Sequence, residues 1–306
     1  MNKFVKGALA AGALALATPA FAQEIVVVSH GQANDAFWNV VKNGVEQAGK
    51  DVGVNVEYRA PETFDMVAMS QLIDAAVNQE PDGLIVSIPD ADALGPSIER
   101  AVAAGIPVIS INSGAEVAKE LGALLHVGQD EFDAGKAAGE QLASMGGSNA
   151  ICVNHEVGNV SLDLRCEGFT EGFGGNVTVL PTSNDPSEIE SKVAAALAAD
   201  ESVDTVMALG ASSAGEPAVA AAKGSGRDVN VASFDLSANF LQSIVDGDAA
   251  FAIDQQQYLQ GYLSVNFMGL HAKYGLMPGG NVPSGPNLIT QDKAAQVVEL
   301  SSQGIR

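Results

Sequence analysis

The sequence predicts an α/β fold built as two doubly wound parallel-sheet lobes. Three observations lead there. The strand segments are short, near-continuous apolar runs, as expected of strands covered on both faces. They alternate with amphipathic helical segments. The alternation runs through one set of elements and then begins again in the second half of the chain.

EIVVVS (24–29) is the first strand. NDAFWNVVKNGVEQAGKDVG (34–53) follows as a helix. Val40, Val41, Gly44, Val45, Ala48 and Val52 share one stripe, with Phe37 near its middle and Asn34 and Asp35 at the N-cap. Trp38, the single tryptophan, falls at the edge of that stripe, beside a capping carboxylate. VNVEY (54–58) is a strand. DMVAMSQLIDAAVNQ (65–79) is a helix with Met66, Met69, Ile73 and Val77 on one face. GLIVSI (83–88) is a strand, ALGPSIERAVAAG a helix ending at Gly105, and IPVISIN (106–112) a strand. LLHVG (124–128) completes the set.

In the second set, DEFDAGKAAGEQLASMG (130–146) is helical and NAICVNH (149–155) is a strand. SLDLRCEGFTEGF (161–173) is helical and VTVLP (177–181) is a strand. PSEIESKVAAALAAD (186–200) is a helix, with capping residues at 183–187. TVMALG (205–210), a helix to Lys223 and VNVASFD (229–235) follow. ANFLQSIVDGD (238–248) is a short helix, FAIDQQ (251–256) a strand and QYLQGYLSVNFMGLHAKYG (257–275) the last helix. The Gly- and Pro-rich MPGGNVPSGPN (277–287) reads as a loop.

MNKFVKGALAAGALALATPAFA (1–22) has Lys3 and Lys6, an apolar run and then Ala20-Phe21-Ala22. That is the pattern of a secretory signal with an A-x-A cleavage site, so the mature chain is expected to begin near Gln23. An uncleaved membrane anchor is the alternative. The formal charge of -22 becomes -24 without Lys3 and Lys6. Such an excess of acid disfavours nucleic acid as a partner, because phosphate binding needs a positive surface. Cys152 and Cys166 are the only cysteines. An oxidising compartment favours pairing, and one closes a predicted strand while the other opens a predicted helix. Bridged and free states both stay open, since sequence does not supply the Cα separation. These cysteines and four scattered histidines (His30, His126, His155, His271) have no metal-ligand spacing, so no metal is expected.

Open parallel sheets bind ligands beyond the carboxyl ends of their strands. Read there, the first strand offers Ser29, His30, Gln32, Asn34 and Asp35, then Phe37 and Trp38. Asn112 and Ser113 follow IPVISI. Asn154, His155 and Glu156 follow NAICV, with Arg165 in the next helix. Asp235 follows VNVASF, and Gln255 and Gln256 close FAIDQQ. No glycine fingerprint for a dinucleotide follows a strand, and no Walker A or nucleophile elbow is present. GASSAG (210–215) is a glycine-rich turn with no Lys after it. Neutral amides, carboxylates, one guanidinium and two aromatics suit a neutral polyhydroxylated ligand and imply no cofactor. Each also has a structural alternative. Asp35 is a cap, Phe37 core, Arg165 a surface ion pair, His155 a hydrogen-bonded loop residue and Glu156 a solvated loop charge.

VVVSHGQANDAFWNVVKNGVEQA, DGLIVSIPDADALGPSIERAVAAGIPVISIN, VGQDEFDAGKAAGE, LRCEGF and VASFD, in this order behind a signal peptide, resemble the periplasmic sugar-binding proteins of ABC importers, of the ribose-binding type. In that family an aromatic pair on the first helix stacks on the sugar ring. The resemblance implies that role for Phe37 and Trp38, with Phe37 bridging core and pocket and Trp38 facing the cleft. It also implies ligand contacts from Asp35, Arg165, Asp235 and Gln255. It implies an N-terminal lobe of 23–127 plus 257–286, a C-terminal lobe of 128–256 plus 287–306, and a hinge of three crossings between them. The product is a monomeric periplasmic receptor, without enzymatic activity, that closes on its ligand for a membrane permease. A chemoreceptor is a further partner.

The chain also departs from the ribose-type pattern. Asn112-Ser113 replaces Asp-Arg, Gly210-Ala211 replaces an Asn, and the 29–35 loop is longer. Asn112 and Ser113 remain candidate contacts, and the volume freed is open to His30, Gln32, Asn154 or His155. A neutral monosaccharide or sugar alcohol is the leading ligand. A furanosyl signal molecule, an inositol-type cyclic polyol or an amino acid is the alternative. A secreted α/β enzyme would need a nucleophile–base pair, and none is visible.

Overall fold

The computed structural model describes residues 23–32 and 35–306. The expected signal peptide and Asn34 of the expected cap lie outside these residues. The first lobe holds β1 (Glu24–Val28), α1 (Ala36–Val52), β2 (Asn55–Arg59), α2 (Met66–Val77), β3 (Gly83–Val86), α3 (Ala91–Ala103), β4 (Val108–Ile111) and β5 (Leu125–Gly128). The second holds α4 (Glu131–Ser144), β6 (Asn149–Asn154), α5 (Val160–Phe173), β7 (Asn176–Pro181), α6 (Pro186–Ala199), β8 (Thr205–Ala208), α7 (Glu216–Ser225), β9 (Asn230–Phe234), α8 (Ala238–Asp246) and β10 (Phe251–Asp254). Then come α9 (Gln257–Tyr274), β11 (Val282–Pro283), β12 (Asn287–Ile289) and α10 (Gln291–Ser302).

The strand orders are β11-β5-β4-β3-β1-β2 and β12-β10-β9-β8-β6-β7. All pairings are parallel except β12 on β10. The two sheets therefore repeat one strand order, β4 corresponding to β9, and differ in the direction of the sixth strand. Strand alternation explains why both faces are dry. Val26 and Val28 join one apolar cluster, while Ile25 and Val27 join the cluster on the opposite face.

Acidic and amide caps start the helices. Asp35, Asp65, Asp90, Asp130, Asn159 and Asp185 each accept backbone N–H bonds in the first turn of the helix they precede. Part of the chain's excess acid is thereby placed against helix N-termini, where it is favoured. In α1 Val40, Val41, Gly44, Val45 and Ala48 are buried as the wheel predicts, Val52 is half-buried, and the aromatic pair is exchanged. Trp38, expected at the edge, is 5% exposed, while Phe37, expected mid-stripe, is half-buried.

The Gly- and Pro-rich tail is not only a loop. It supplies β11 beside β5 and β12 against β10. Two- and three-residue strands are too short to show a period, and Pro283 is tolerated because it sits on an edge strand. The closing helix α10 also went unexpected. Among its buried residues are only Ala294 and Val297, so its apolar signal is thin.

The chain passes between the sheets after β5, after β10 and between β11 and β12. Across the gap, Val160 donates its N–H to Pro89 O at 3.0 Å.

Candidate ligand-binding cleft

The loops at the carboxyl ends of both sheets face one another across an open-mouthed cleft. The position follows from topology. In each lobe the order reverses at the first strand, and the crevice opens there.

From the first lobe come His30, Asp35, Phe37, Trp38 and Asn112. Asp35 takes the Phe37 and Trp38 N–H groups on Oδ1, at 2.8 and 3.3 Å, so capping fixes the start of the aromatic pair. The two rings meet edge to face with centroids 5.2 Å apart, and His30 abuts Trp38 at 4.8 Å. Gly31 permits this. A Cβ there would lie 2.0 Å from Trp38 Cγ. His30 is itself pinned, its N–H donating to Ser87 Oγ at 3.0 Å and its Nδ1 2.8 Å from the same oxygen.

From the second lobe come His155, Glu156, Asn159, Arg165, the 209–213 turn and Asp235, with Gln255 at the end of β10. Three devices hold Arg165. Glu131 takes Nε and a terminal nitrogen, at 2.6 and 2.9 Å, and both residues are 2–3% exposed. The guanidinium lies over the Phe234 ring at 4.4 Å. Finally, its neighbour Cys166 is bridged to Cys152 on β6. Glu131 reaches Arg165 because α4 and α5 pack backbone to backbone. A Cβ on Gly135 would lie 2.2 Å from Arg165 O, and one on Gly168 2.0 Å from Phe132 O.

The lobes touch through an amide relay. Asn112 Nδ2 donates to Gln255 Oε1 at 3.1 Å, and Gln255 Nε2 donates to Asp235 Oδ1 at 2.5 Å. Asn112 and Asp235 occupy equivalent strand ends and both have left-handed backbones, φ 62° and 67°. Non-glycine residues adopt this conformation rarely, and it gathers at functional sites.

Burial governs the charges. His30 and His155 are lowered to about 3, first by desolvation and then by Arg165, so both are neutral. Glu156 is pushed up to about 7 by burial, against a hydrogen bond from Asn159. Asp235 is pushed up to about 7 by burial, against the pull of Arg165 and Gln255. Asp35 is raised by burial too, against its two capping bonds.

Nine of the twelve residues expected at the site line the cleft. Gln32, Ser113 and Asn154 do not. Ser113 is buried and donates to Asn112 Oδ1 at 2.9 Å, orienting that amide. Asn154 braces the loop after β6, donating to Asp163 and accepting from Glu156 N–H. Gln32 accepts the Asp35 N–H on its carbonyl in the turn before α1. Arg165 is no surface ion pair, and Glu156 no solvated charge; it is 8% exposed. Asn159 and the 209–213 turn are not among the expected contacts, although the strand-end rule reaches the turn after β8. The missing Asn at Gly210 has a physical counterpart. A Cβ there would lie 2.9 Å from His155 Cε1, so the imidazole occupies the room.

The model of the periplasmic binding protein domain matches residues 25–275. The chain belongs to this family. A carbohydrate transporter from Acidothermus cellulolyticus, solved in complex with myo-inositol, is 35% identical with a TM-score of 0.88, covering 93% of this chain and 100% of that one. The xylose/arabinose-binding protein of Sulfolobus acidocaldarius is 26% identical over 257 residues, 78% of this chain and 64% of its own length. The ribose import binding protein of Haemophilus influenzae is 23% identical over 264 residues, 82% and 87% of the two chains. Solute-binding proteins of this family are not enzymes.

Proposed function

We propose that this periplasmic binding protein captures a sugar or cyclic polyol by lobe closure and delivers it to an ABC-importer permease. The observation that carries the reading is the lining itself. Amides and carboxylates from both lobes converge on one cleft, beside a guanidinium and two edge-to-face aromatics. Asp35, Phe37, Trp38, Asn112, Arg165, Asp235 and Gln255 are the contacts, with His30 and His155. The relationship to a protein solved with myo-inositol supports testing cyclic polyols beside pentoses and hexoses. Export to the periplasm through residues 1–22, lobes of 23–127 plus 257–286 and 128–256 plus 287–306, and hinging at the three crossings complete the proposal.

The test strips ligand by unfolding and refolding, then follows Trp38 fluorescence and melting temperature against pentoses, hexoses, sugar alcohols, inositols and amino acids. Ligand at 100 times its dissociation constant adds about 2.7 kcal/mol. For a chain of this size that raises Tm by roughly 5–10 °C. Silence across all sugars and polyols refutes the reading.

A further inference from the structure

The cleft lining carries three carboxyl groups against one guanidinium. Arg165 is its one cation among the described lining residues, and that charge is already matched. Glu131 holds two of its nitrogens from behind, and the third donates to Leu209 O at 3.2 Å. Each side-chain amide of the lining has one N–H committed within the protein. Asn112 Nδ2 goes to Gln255, Gln255 Nε2 to Asp235, and Asn159 Nδ2 to Glu156 at 2.8 Å. Three carboxyl groups remain on the lining: Asp35 at the cap of α1, Glu156 in the β6–α5 loop and Asp235 at the end of β9. They come from three elements and both lobes, and no lysine or charged histidine offsets them.

A second, independent observation sits beside them. His155 lines the cleft and is 9% exposed, and its Nδ1 has no partner. A neutral imidazole nitrogen is one more polar atom for a ligand to satisfy. A hydroxyl brings one donor together with acceptor lone pairs. An ammonium brings three donors, no acceptor and a positive charge. Three carboxyl groups with no free cation beside them among the described residues can give up protons to seat the second kind of group.

We infer that the ligand is a polyol carrying one protonated primary amine, an aminocyclitol or amino sugar, with its ammonium seated among Asp35, Glu156 and Asp235. This rests on the polyol reading above. It narrows the ligand class through the charge that the lining lacks. The titration behaviour agrees. Glu156 and Asp235, each pushed up to about 7, hold protons in the empty cleft near neutral pH, and an incoming ammonium displaces them. Of the other groups facing the cleft, His30 and His155 are already neutral, and Arg165 with Glu131 keeps its pairing.

Titration calorimetry on the ligand-stripped full chain tests this with matched pairs at pH 6.5: myo-inositol against an inosamine, and glucose against glucosamine. At least one amine should bind tenfold or more tightly than its neutral partner. It should release protons, read from the difference between buffers of unlike ionisation heat. Glu156→Gln should cut the amine-to-neutral affinity ratio at least tenfold; the proton count on the unaltered protein stands even if that variant folds poorly. The two pairs separate a cyclitol source from a hexose source. A neutral partner that binds as tightly as its amine overturns the inference and leaves the polyol reading standing. So does amine binding without proton release. Silence with every sugar and polyol overturns both.

Discussion

Removing Glu131 should destabilise the protein far more than an ordinary ion pair would. Arg165 and Glu131 are 3% and 2% exposed and meet through two charged hydrogen bonds of 2.6 and 2.9 Å. Glu131→Ala leaves a guanidinium buried between α4, α5 and Phe234 with only the Leu209 carbonyl as direct acceptor. Breaking one side of a buried pair costs about 3–5 kcal/mol, because the remaining charge stays desolvated. At this chain length that lowers Tm by roughly 6–20 °C. The assay is urea unfolding of ligand-free protein, run in parallel on Glu131→Ala and on the double variant Glu131→Leu/Arg165→Met. The double variant removes both charges and fills the volume, so it should recover to within about 2 kcal/mol of the unaltered protein. A single-variant loss below about 1 kcal/mol would place the pair with exposed salt bridges and refute the reasoning. A double variant as unstable as the single would refute it equally, since no charge then remains to desolvate.

Three further outcomes are expected. For Glu156 and Asp235 the folded pKa of about 7 lies above the unfolded value, so their contribution is most favourable at low pH and is lost as pH rises towards and through 7. His30 and His155, at about 3, act oppositely and lose stability as pH falls below 6.5. Melting of ligand-free protein should therefore vary little where the two effects overlap, fall from about pH 6.5 to just above 7 and level off beyond, and Glu156→Gln with Asp235→Asn should flatten that fall. Reducing the Cys152–Cys166 bridge, which closes a span of 14 residues, should cost about 2–4 kcal/mol, seen by melting with and without thiol. Gly168→Ala puts a methyl 2.0 Å from Phe132 O and should cost about 1–3 kcal/mol in urea. Because α4 and α5 carry Glu131 and Arg165, it should weaken ligand binding as well.

Most of the architecture was legible because it is local. Apolar runs marked ten strands, and the 3.6-residue period marked nine helices. Asp35 and the 183–187 stretch marked two of the caps, and the repeat of the alternation marked two sheets. The strand-end rule then placed His30, Asp35, the aromatic pair, Asn112, Arg165 and Asp235 in one region without any distance being known. β11, β12 and α10 escaped because very short edge strands and a helix with little buried surface leave almost no pattern.

What only the tertiary structure decided is which polar groups face the cleft and which face each other. Ser113 and Asn154 sit at strand ends as surely as Asn112 and His155 do, yet they spend their hydrogen bonds orienting neighbours. Arg165 pairs with a residue 34 positions away on another helix, through a glycine contact that no helical period announces. Glu156 reads as a solvated loop charge until the lobes meet over it. Order and periodicity are properties of neighbouring residues, so the sequence determined them alone. Burial, pairing and the resulting charge of the cleft arise from surfaces brought together across both lobes, and those exist only once the chain has folded.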